Sequence, residues 1–238
     1  MMEYLRRKKS VIELVKRKAW PSQAMKDFRK GCEETKIRLL EEIERADSVE
    51  DMKGFDAYVT DLALRGDESM YLPFHVGIYL LAKLTKPKLV VETGVSRGFS
   101  TLVLLKALGD NGRLISIELA KQIEVARGER APIAYVVDED LRKNWTLLTG
   151  DGREVLATLK EPIDLFVSGS DHQYLVQNME LSLADRLVPR GGYIVVDRPD
   201  YNENHALLDN FDKPGYSYTI YPERSASSPL KYALVWKK

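Results

Sequence analysis

The pattern of apolar and polar positions changes character along the chain. In residues 55–62, FDAYVTDL, the apolar side chains recur at positions i, i+3, i+4 and i+7, the spacing of one buried helical face. Residues 72–80 repeat this spacing and predict a helix that ends just before Pro87. Residues 1–68 are rich in Lys, Arg and Glu and poor in Gly, so they predict an N-terminal helical extension.

Beyond Pro87, short apolar runs alternate with helical patterns. The predicted strands are KLVVET, GRLISIEL, WTLLTGD, IDLFVSG and GGYIVVD. The predicted helices lie between them and include LAKQIEVARGER, REVLATLK and a long helix with Leu175, Met179, Leu183 and Leu187 along its apolar face. This alternation predicts right-handed crossovers, a parallel sheet covered on both faces, and therefore a doubly wound α/β fold.

The last part of the chain departs from the alternation. YSYTIYPE and KYALVWKK are strand-like runs separated only by RSASSPL, which leaves no room for a crossover helix. They predict a C-terminal antiparallel hairpin that brings the sheet to seven strands.

Composition narrows the class of protein. The chain has 238 residues, of which 44% are hydrophobic and 30% charged, and its formal net charge is zero. This balance is typical of a soluble globular protein. Because the net charge is zero, it gives no indication of a nucleic-acid partner. Cys32 is the only cysteine, which excludes a disulfide framework within one chain and favours a reducing, cytoplasmic location. The start of the chain lacks an uninterrupted apolar core, so we expect neither a signal peptide nor a membrane span.

The strand-to-helix turn VVETGVSRGFST, residues 90–101, carries the chemistry. Its glycines, Gly94 and Gly98, follow the spacing G-x-x-x-G and not the G-x-G-x-x-G of dinucleotide-binding turns. Glu92 stands where it would repel a pyrophosphate, so a ligand with a cationic group fits better. S-adenosylmethionine is such a ligand: its α-amino group suits Glu92, and its carboxylate suits the amides at the helix N-terminus.

Two further acidic residues close neighbouring strands. Glu118 ends the second strand, where a carboxylate can accept hydrogen bonds from ribose hydroxyls. Asp151, in TGDG after the third strand, can accept a hydrogen bond from the exocyclic amine of adenine, or it can cap the following helix. Both interpretations of Asp151 stay open, and they do not exclude each other.

Four motifs in order, VVETGVSRGFST, WTLLTGD, IDLFVSGSDHQY and VPRGGYIVVD, resemble those of class I S-adenosylmethionine-dependent methyltransferases, specifically the small-molecule O-methyltransferase-like branch. The resemblance covers roughly residues 70 to 238. It implies a seven-stranded Rossmann-like sheet, with residues 69–238 forming the cofactor-binding domain and residues 55–84 capping the cofactor. The implied cofactor contacts are Glu92, Gly94, Ser96, Gly98, Ser100, Thr101, Glu118, Gly150 and Asp151.

The chain departs from this family's pattern where catechol-type relatives hold a divalent metal. Ser168 replaces the Asp after the fourth strand, and Asp197 is followed by Arg198 where a second acidic or amide ligand is usual. One carboxylate beside a guanidinium is a poor magnesium site, although Asp171 could approach, so we expect no metal. We expect His172 to be the base, with Asp197 as its orienting partner or as an alternative base. Arg198 is expected to hold an anionic acceptor.

The leading hypothesis is thus a transferase that methylates a small molecule, at a hydroxyl group. The loss of an Asp at Ser168 motivates one alternative, a non-catalytic S-adenosylmethionine-binding protein. The basic N-terminal stretch motivates another, a nucleic-acid methyltransferase. His172 also has a purely structural interpretation, as a residue at the start of a helix. Exchange of the amphipathic N-terminal helices between protomers would produce a homo-oligomer, and this possibility stays open.

Overall fold

The computed structural model describes residues 72–126, 129–225 and 228–238. The predicted N-terminal extension, its basic stretch and the helix predicted at residues 55–62 lie outside the described residues. The domain boundary between residues 68 and 69 therefore stays a prediction.

Nine strands and five α-helices make up the described part. The strands are β1 Leu89–Thr93, β2 Arg113–Glu118, β3 Gln122–Ala126, β4 Glu129–Pro132, β5 Trp145–Thr149, β6 Leu165–Ser168, β7 Tyr193–Asp197, β8 Tyr216–Ser225 and β9 Ser228–Lys237. The α-helices are α1 Leu72–Thr85, α2 Phe99–Leu108, α3 Gly152–Thr158, α4 Tyr174–Leu187 and α5 His205–Phe211. Short 3-10 helices occupy Glu139–Asn144 and Pro199–Asn202.

Seven of these strands form one sheet in the order β5-β2-β1-β6-β7-β9-β8. The first five strands in that order are parallel, whereas β9 pairs antiparallel with both β7 and β8. Strands β2 and β5 lie on one side of β1, whereas β6 and β7 lie on the other side. The order of the strands therefore reverses between β1 and β6, and ligands bind beyond the carboxyl ends of the strands at such a switch point. The predicted doubly wound α/β sheet with a C-terminal antiparallel hairpin is confirmed.

Alternate residues of each central strand pack into two separate apolar layers. Val90 faces a layer that includes Leu102 of α2, while the adjacent Val91 faces a layer that includes Leu181 of α4. Every residue of β1 is buried, which explains why this strand is a continuous apolar run up to its acidic end. Both faces of the sheet are therefore covered. In the described part, a ligand can reach the sheet mainly at the ends of its strands.

The helix predicted at LAKQIEVARGER is wrong. The chain forms a small antiparallel hairpin there, β3 and β4, which is separate from the main sheet. The sequence QIEVA alternates polar with β-branched residues, and this two-residue period favours a strand. Ile123 packs its side chain against the core and so fixes the hairpin on the domain.

The apolar face predicted for α4 is confirmed in part, since Leu183 and Leu187 pack against the core whereas Leu175 and Met179 are exposed. The residues that α4 buries are Gln177, Glu180, Leu181 and Ala184. Leu175 is 70% exposed and Met179 is 48% exposed. The two buried polar residues are tolerated because each finds hydrogen-bond partners in the interior. No helix of the described segments is long and apolar enough to cross a membrane.

Candidate active site

A cavity of about 220 Å³ opens beside the carboxyl ends of β1, β6 and β7. The turn between β1 and α2 forms one wall, and the first turn of α1 forms another. The residues that line the cavity are Phe74, His75, Thr93, Gly94, Val95, Ser96, Arg97, Gly98, Phe99, Ser100, Val167, Gly169 and Asp197.

The structure brings five of the predicted site residues to this cavity: Gly94, Ser96, Gly98, Ser100 and Asp197. The other predicted site residues lie outside its lining, and they are Glu92, Thr101, Glu118, Gly150, Asp151, His172 and Arg198. Their contacts show what each of them does in the structure.

The two motif glycines are required by close approaches of the backbone. Gly94 has a φ of 79°, and a Cβ there would lie 2.2 Å from the carbonyl oxygen of Gly169. Gly98 has a φ of 93°, and a Cβ there would lie 2.6 Å from the Cα of Ala134. Gly98 is also the N-cap of α2 and has no side chain to accept from the first-turn amides, so this helix N-terminus favours a negatively charged ligand group.

Glu92 lies behind the turn in a buried polar network. Its Oε1 accepts hydrogen bonds from the hydroxyl of Thr101 and, at 2.8 Å, from that of Ser116. Trp145 in turn donates from Nε1 to Ser116 Oγ at 2.7 Å. Burial raises the pKa of Glu92 to about 7, although these hydroxyls lower it. Its Oε2 has no hydrogen-bond partner among the described residues, so one carboxylate oxygen is left to bind a donor.

Glu118 folds back onto the glycine turn. Its Oε2 accepts from the backbone amides of Val95 and Ser96, each at 2.9 Å, and its Oε1 accepts from the amide of Ala120 at 3.1 Å. The amide of Gly150 donates to the Glu118 carbonyl at 3.0 Å, which places the end of β5 beside the end of β2. Glu118 thus shapes the turn, and a contact with ribose stays a prediction.

Asp151 caps α3. Its Oδ1 accepts from the amide of Arg153 at 2.9 Å, and its Oδ2 lies 2.5 Å from the Arg153 guanidinium. Hydrogen bonding to Arg153 lowers the pKa of Asp151 to about 2. The capping interpretation is therefore observed, whereas the adenine contact stays a prediction.

His172 and Asp197 come together at the ends of β6 and β7. The His172 Nε2 lies 3.7 Å from the Asp197 Oδ2, and the side chains are 17% and 13% exposed. Burial, followed by the cationic Arg198, lowers the pKa of His172 to about 4. Burial raises the pKa of Asp197 to about 7, against the opposing effect of Arg198. Asp197 is thus the member of the pair whose charge changes near neutral pH.

Two amide side chains hold this pair, and sequence reasoning missed both. Gln177 donates from Nε2 to the Asp197 carbonyl at 3.0 Å. Asn202 donates from Nδ2 to the His172 carbonyl at 2.9 Å and to Gln177 Oε1 at 2.7 Å. No motif identifies them, because they act through backbone carbonyls. Arg198, the residue after the end of β7, adopts a left-handed φ of 48°, and such backbone conformations cluster at functional sites.

Two other cavity residues were also missed. His75 stands in no recognisable sequence motif, yet it lines the cavity and is 7% exposed. Its ring lies 5.3 Å from that of Phe74 and 6.4 Å from that of Phe99, measured between centroids. Arg97 stands inside the glycine turn itself, so its position between Gly94 and Gly98 was the available signal.

The donors around Asp197 suit a divalent metal poorly. Ser168 is buried at the end of β6, and Asp171 uses Oδ1 to accept from the Gln173 amide at 2.9 Å. No cluster of three or more His, Cys, Asp or Glu side chains with metal-binding geometry occurs in the segments that the structure describes. An imidazole, one carboxylate and a guanidinium do not match the oxygen ligands that Mg²⁺ prefers. Independence from metal stays a prediction.

Comparisons with known proteins agree with this architecture. Residues 91–198 match a family described as a methyltransferase domain. The chain is 34% identical over 122 residues to a catechol O-methyltransferase of Mycobacterium tuberculosis (strain ATCC 25618 / H37Rv), a match that covers 50% of this chain and 51% of the relative. The chain thus spans about half the length of the curated relatives it matches.

Solved structures share the fold. A Klebsiella pneumoniae protein described as a putative O-methyltransferase superposes with a TM-score of 0.57 at 19% identity, over 78% of this chain and 96% of that one. The O-methyltransferase TomG from Streptomyces achromogenes, solved in complex with SAM, superposes with a TM-score of 0.58 at 18% identity, over 81% and 88% of the two chains.

The seven-stranded sheet with its terminal hairpin and glycine turn defines a Rossmann-like methyltransferase fold. The methyltransferase-domain match over residues 91–198 and the O-methyltransferase relatives confirm the resemblance to class I S-adenosylmethionine-dependent methyltransferases that the motifs predicted.

Proposed function

We propose that this protein transfers a methyl group from S-adenosylmethionine to a hydroxyl group of a small molecule. The observation that carries the proposal is Asp197, a buried carboxylate with a pKa of about 7, which lines the cavity beside the glycine turn of a methyltransferase domain. The relatives support the reaction class, since one is a catechol O-methyltransferase and a structural neighbour is an O-methyltransferase in complex with SAM.

The glycine turn and the strand ends around the cavity carry features that suit this methyl donor. The close backbone approaches at Gly94 and Gly98 form a turn without side-chain bulk, and α2 begins beside it. Glu92 Oε2 is a buried acceptor that lacks a partner among the described residues, which suits the donor's amino group. The N-terminus of α2 suits its carboxylate, and Glu118 suits its ribose. When bound, S-adenosylmethionine supplies an electrophilic methyl group on a sulfonium.

The chain's own residues supply the acid–base chemistry. A hydroxyl acceptor must lose a proton, and above a pH of about 7 the ionised Asp197 can accept it. His172, kept neutral by burial, orients Asp197 and is the alternative base. Arg198 follows Asp197 directly in the chain, and its guanidinium is expected to hold an anionic acceptor, as predicted from the sequence.

Product analysis by mass spectrometry tests the proposal. We would incubate the full chain with S-adenosylmethionine and a panel of phenols, aliphatic alcohols and hydroxy acids, with and without added Mg²⁺. The proposal expects a singly methylated product, made by the wild type and by Asp140→Asn, an exposed control, but reduced in Asp197→Asn. Methylation of no acceptor in the panel, with S-adenosylmethionine bound, would instead support a non-catalytic binding protein.

The substitution at Ser168 is the observation that favours that second candidate. A buried hydroxyl stands where catechol-type relatives have a metal-binding carboxylate, so the chain lacks one part of their catalytic site. A nucleic-acid acceptor has no comparable support, because the basic N-terminal stretch lies outside the described residues. Its test is salt dependence: binding to RNA or DNA that weakens steeply with salt, and that is lost when residues 1–30 are deleted, would favour it.

A further inference from the structure

A second buried carboxylate lies beneath the cavity. Glu180 projects from α4 and is 1% exposed. Its Oε2 accepts a hydrogen bond from the Thr93 hydroxyl at 2.8 Å, and the Ser170 hydroxyl donates to both of its oxygens, each at 2.8 Å. Burial raises the pKa of Glu180, while the hydrogen bonds from Thr93 and Ser170 lower it. A buried carboxylate that carries hydrogen bonds of this kind is costly, and such groups mark functional positions more often than ordinary core ones.

Glu180 meets three strand ends at once. Thr93 ends β1, and Ser170 follows the end of β6. Gly152 begins the helix after β5, and a Cβ at that glycine would lie 2.2 Å from Glu180 Oε1. The carboxylate therefore lies where the three cofactor-side turns converge, with no room for a larger residue on the β5 side.

The loop that Ser170 occupies leads directly to the acid–base pair. Its Gly169 amide donates to the Thr93 carbonyl at 2.9 Å, and the Cα of Ser170 lies 2.6 Å from where a Cβ on Gly94 would be. His172 follows two residues later, within 3.7 Å of Asp197. Displacement of Ser170 from Glu180 would therefore move His172.

The same helix also holds the other half of the pair. Gln177 precedes Glu180 by one helical turn on the buried face of α4, and it donates to the Asp197 carbonyl at 3.0 Å. One helix thus fixes the His172 loop through Glu180 and the end of β7 through Gln177. The distance between base and partner depends on how firmly both links are made.

We propose that Glu180 is a positioning residue: by accepting hydrogen bonds from Thr93 and Ser170 it clamps the loop 169–173 against the end of β1, and it thereby sets His172 relative to Asp197. Its consequence for catalysis rests on the proposed methyltransferase function, but its consequence for His172 does not.

The imidazole resonances of His172 provide a readout that needs no substrate. The chain contains only three histidines, so a His172→Gln variant assigns the signal by its disappearance. Four variants are compared with the wild type: Ser170→Ala, Glu180→Leu, Glu180→Gln and, as an exposed control with the same chemical change, Glu154→Gln. Ser170→Ala removes the loop link while leaving the buried carboxylate and its strand link in place.

We expect Ser170→Ala and Glu180→Leu to release the imidazole, so that its pKa rises from about 4 toward the ordinary value of 6.5. Burial has the largest effect on this titration, and the release of the loop would change it, whereas the neighbouring charged groups Arg198, Asp171, Asp200 and Asp197 are the same in every variant. Glu180→Gln should retain most of the wild-type behaviour, because its amide oxygen can accept from one hydroxyl and its amide nitrogen can donate to the other. Glu154→Gln should behave as the wild type.

Turnover gives the second readout. A misplacement of about 1 Å can cost on the order of 10²-fold in rate, so we expect kcat to fall about 10- to 100-fold in Ser170→Ala and Glu180→Leu. The KM for S-adenosylmethionine should stay within about threefold in Ser170→Ala, since the glycine turn is intact. The double variant Ser170→Ala/Glu180→Leu should lose no more turnover than Glu180→Leu alone. Glu180→Leu already breaks the Ser170–Glu180 hydrogen bond that Ser170→Ala removes.

Three results would overturn the clamp. The first is a His172 titration in folded Ser170→Ala that matches the wild type. The second is a set of losses that multiply in the double variant, which would mean independent effects. The third is a turnover loss in Glu180→Gln as large as in Glu180→Leu. If Glu180→Leu does not fold, the result for Ser170→Ala decides whether Glu180 positions His172. If the wild type forms no methylated product, the proposed function is refuted, but the titration of His172 still tests the role of Glu180.

Discussion

Replacement of Asp197 by Asn should stabilise the protein, and by an amount that depends on pH. Burial raises the pKa of this carboxyl from 3.8 to about 7, so the folded protein binds this proton more tightly than the unfolded chain. Below a pH of about 3 the group is protonated in both states and adds nothing to the pH dependence. As pH rises towards 7, the unfolded chain releases the proton first, and stability is lost until the folded-state group also ionises.

The size of the effect follows from the two pKa values. One pKa unit corresponds to about 1.4 kcal/mol, so the interval from 3.8 to about 7 costs the wild type at most about 4 kcal/mol above neutral pH. Asn is neutral at every pH and avoids this cost. Between about pH 5 and about pH 8.5 the advantage of Asp197→Asn should therefore grow by about 2 to 3 kcal/mol.

Urea unfolding at these two pH values measures the difference. The pH dependence due to Glu92, whose pKa is also raised to about 7, is present in both proteins and cancels in the comparison. Asp140→Asn, an exposed change of the same chemistry, is the control and should show no growing advantage. An equal free energy of unfolding for wild type and Asp197→Asn at both pH values would refute the account of Asp197 as a buried, destabilised base.

Three further predictions concern the site. With Asp197 as the base, kcat/KM should rise about tenfold per pH unit up to about pH 7 and then level, and a rate that is flat between about pH 5 and pH 8 would contradict this. Glu118→Ala should weaken S-adenosylmethionine binding by about 1.5 to 3 kcal/mol, measured by calorimetry, and unchanged affinity would remove Glu118 from the site. Gly94→Ala should destabilise the protein by about 1 to 3 kcal/mol more than Gly109→Ala. Both glycines have a positive φ, but only a Cβ at Gly94 would meet Gly169. Equal thermal shifts for the two variants would show that this contact relaxes.

The sequence was informative where one physical signal dominated. Short apolar runs bounded by turn residues predicted the five parallel strands, and the absence of a crossover before Lys231 predicted the terminal hairpin. The glycine turn was equally clear, since Gly94 and Gly98 have left-handed φ values and no room for a side chain. These features depend on local sequence and on backbone geometry alone.

Predictions failed where tertiary contacts overrode the local pattern. The leucine spacing of α4 pointed to Leu175 as part of a buried face, yet the helix buries Gln177 and Glu180, whose partners include residues at the ends of β7 and β1. The segment at β3 carried helix-forming Lys and Glu residues around QIEVA, and the two-residue alternation with Ile123 packed on the core prevailed. Partners 20 or more residues away cannot be read from a local window.

The candidate site shows the same division. Motif resemblance identified Ser96 and Ser100, which line the cavity. The positions of His172 and Asp197 after neighbouring strands predicted that the two residues lie together, as the structure shows. Sequence reasoning did not identify Asn202, whose side-chain amide donates to the backbone carbonyl of His172 and to the side-chain oxygen of Gln177, which only the folded chain brings together. The acid–base roles depend on burial, which shifts pKa values in opposite directions for an imidazole and a carboxyl, and burial is a property of the fold.

The central claim is that this methyltransferase domain binds S-adenosylmethionine at the glycine turn between β1 and α2. Calorimetric titration of the full chain with S-adenosylmethionine tests it directly, with Gly94→Ala as the matched variant. The account predicts saturable binding by the wild type and weaker binding by Gly94→Ala, since a Cβ at that position would lie 2.2 Å from the Gly169 oxygen and must displace the turn. A folded wild type that binds no S-adenosylmethionine would contradict it.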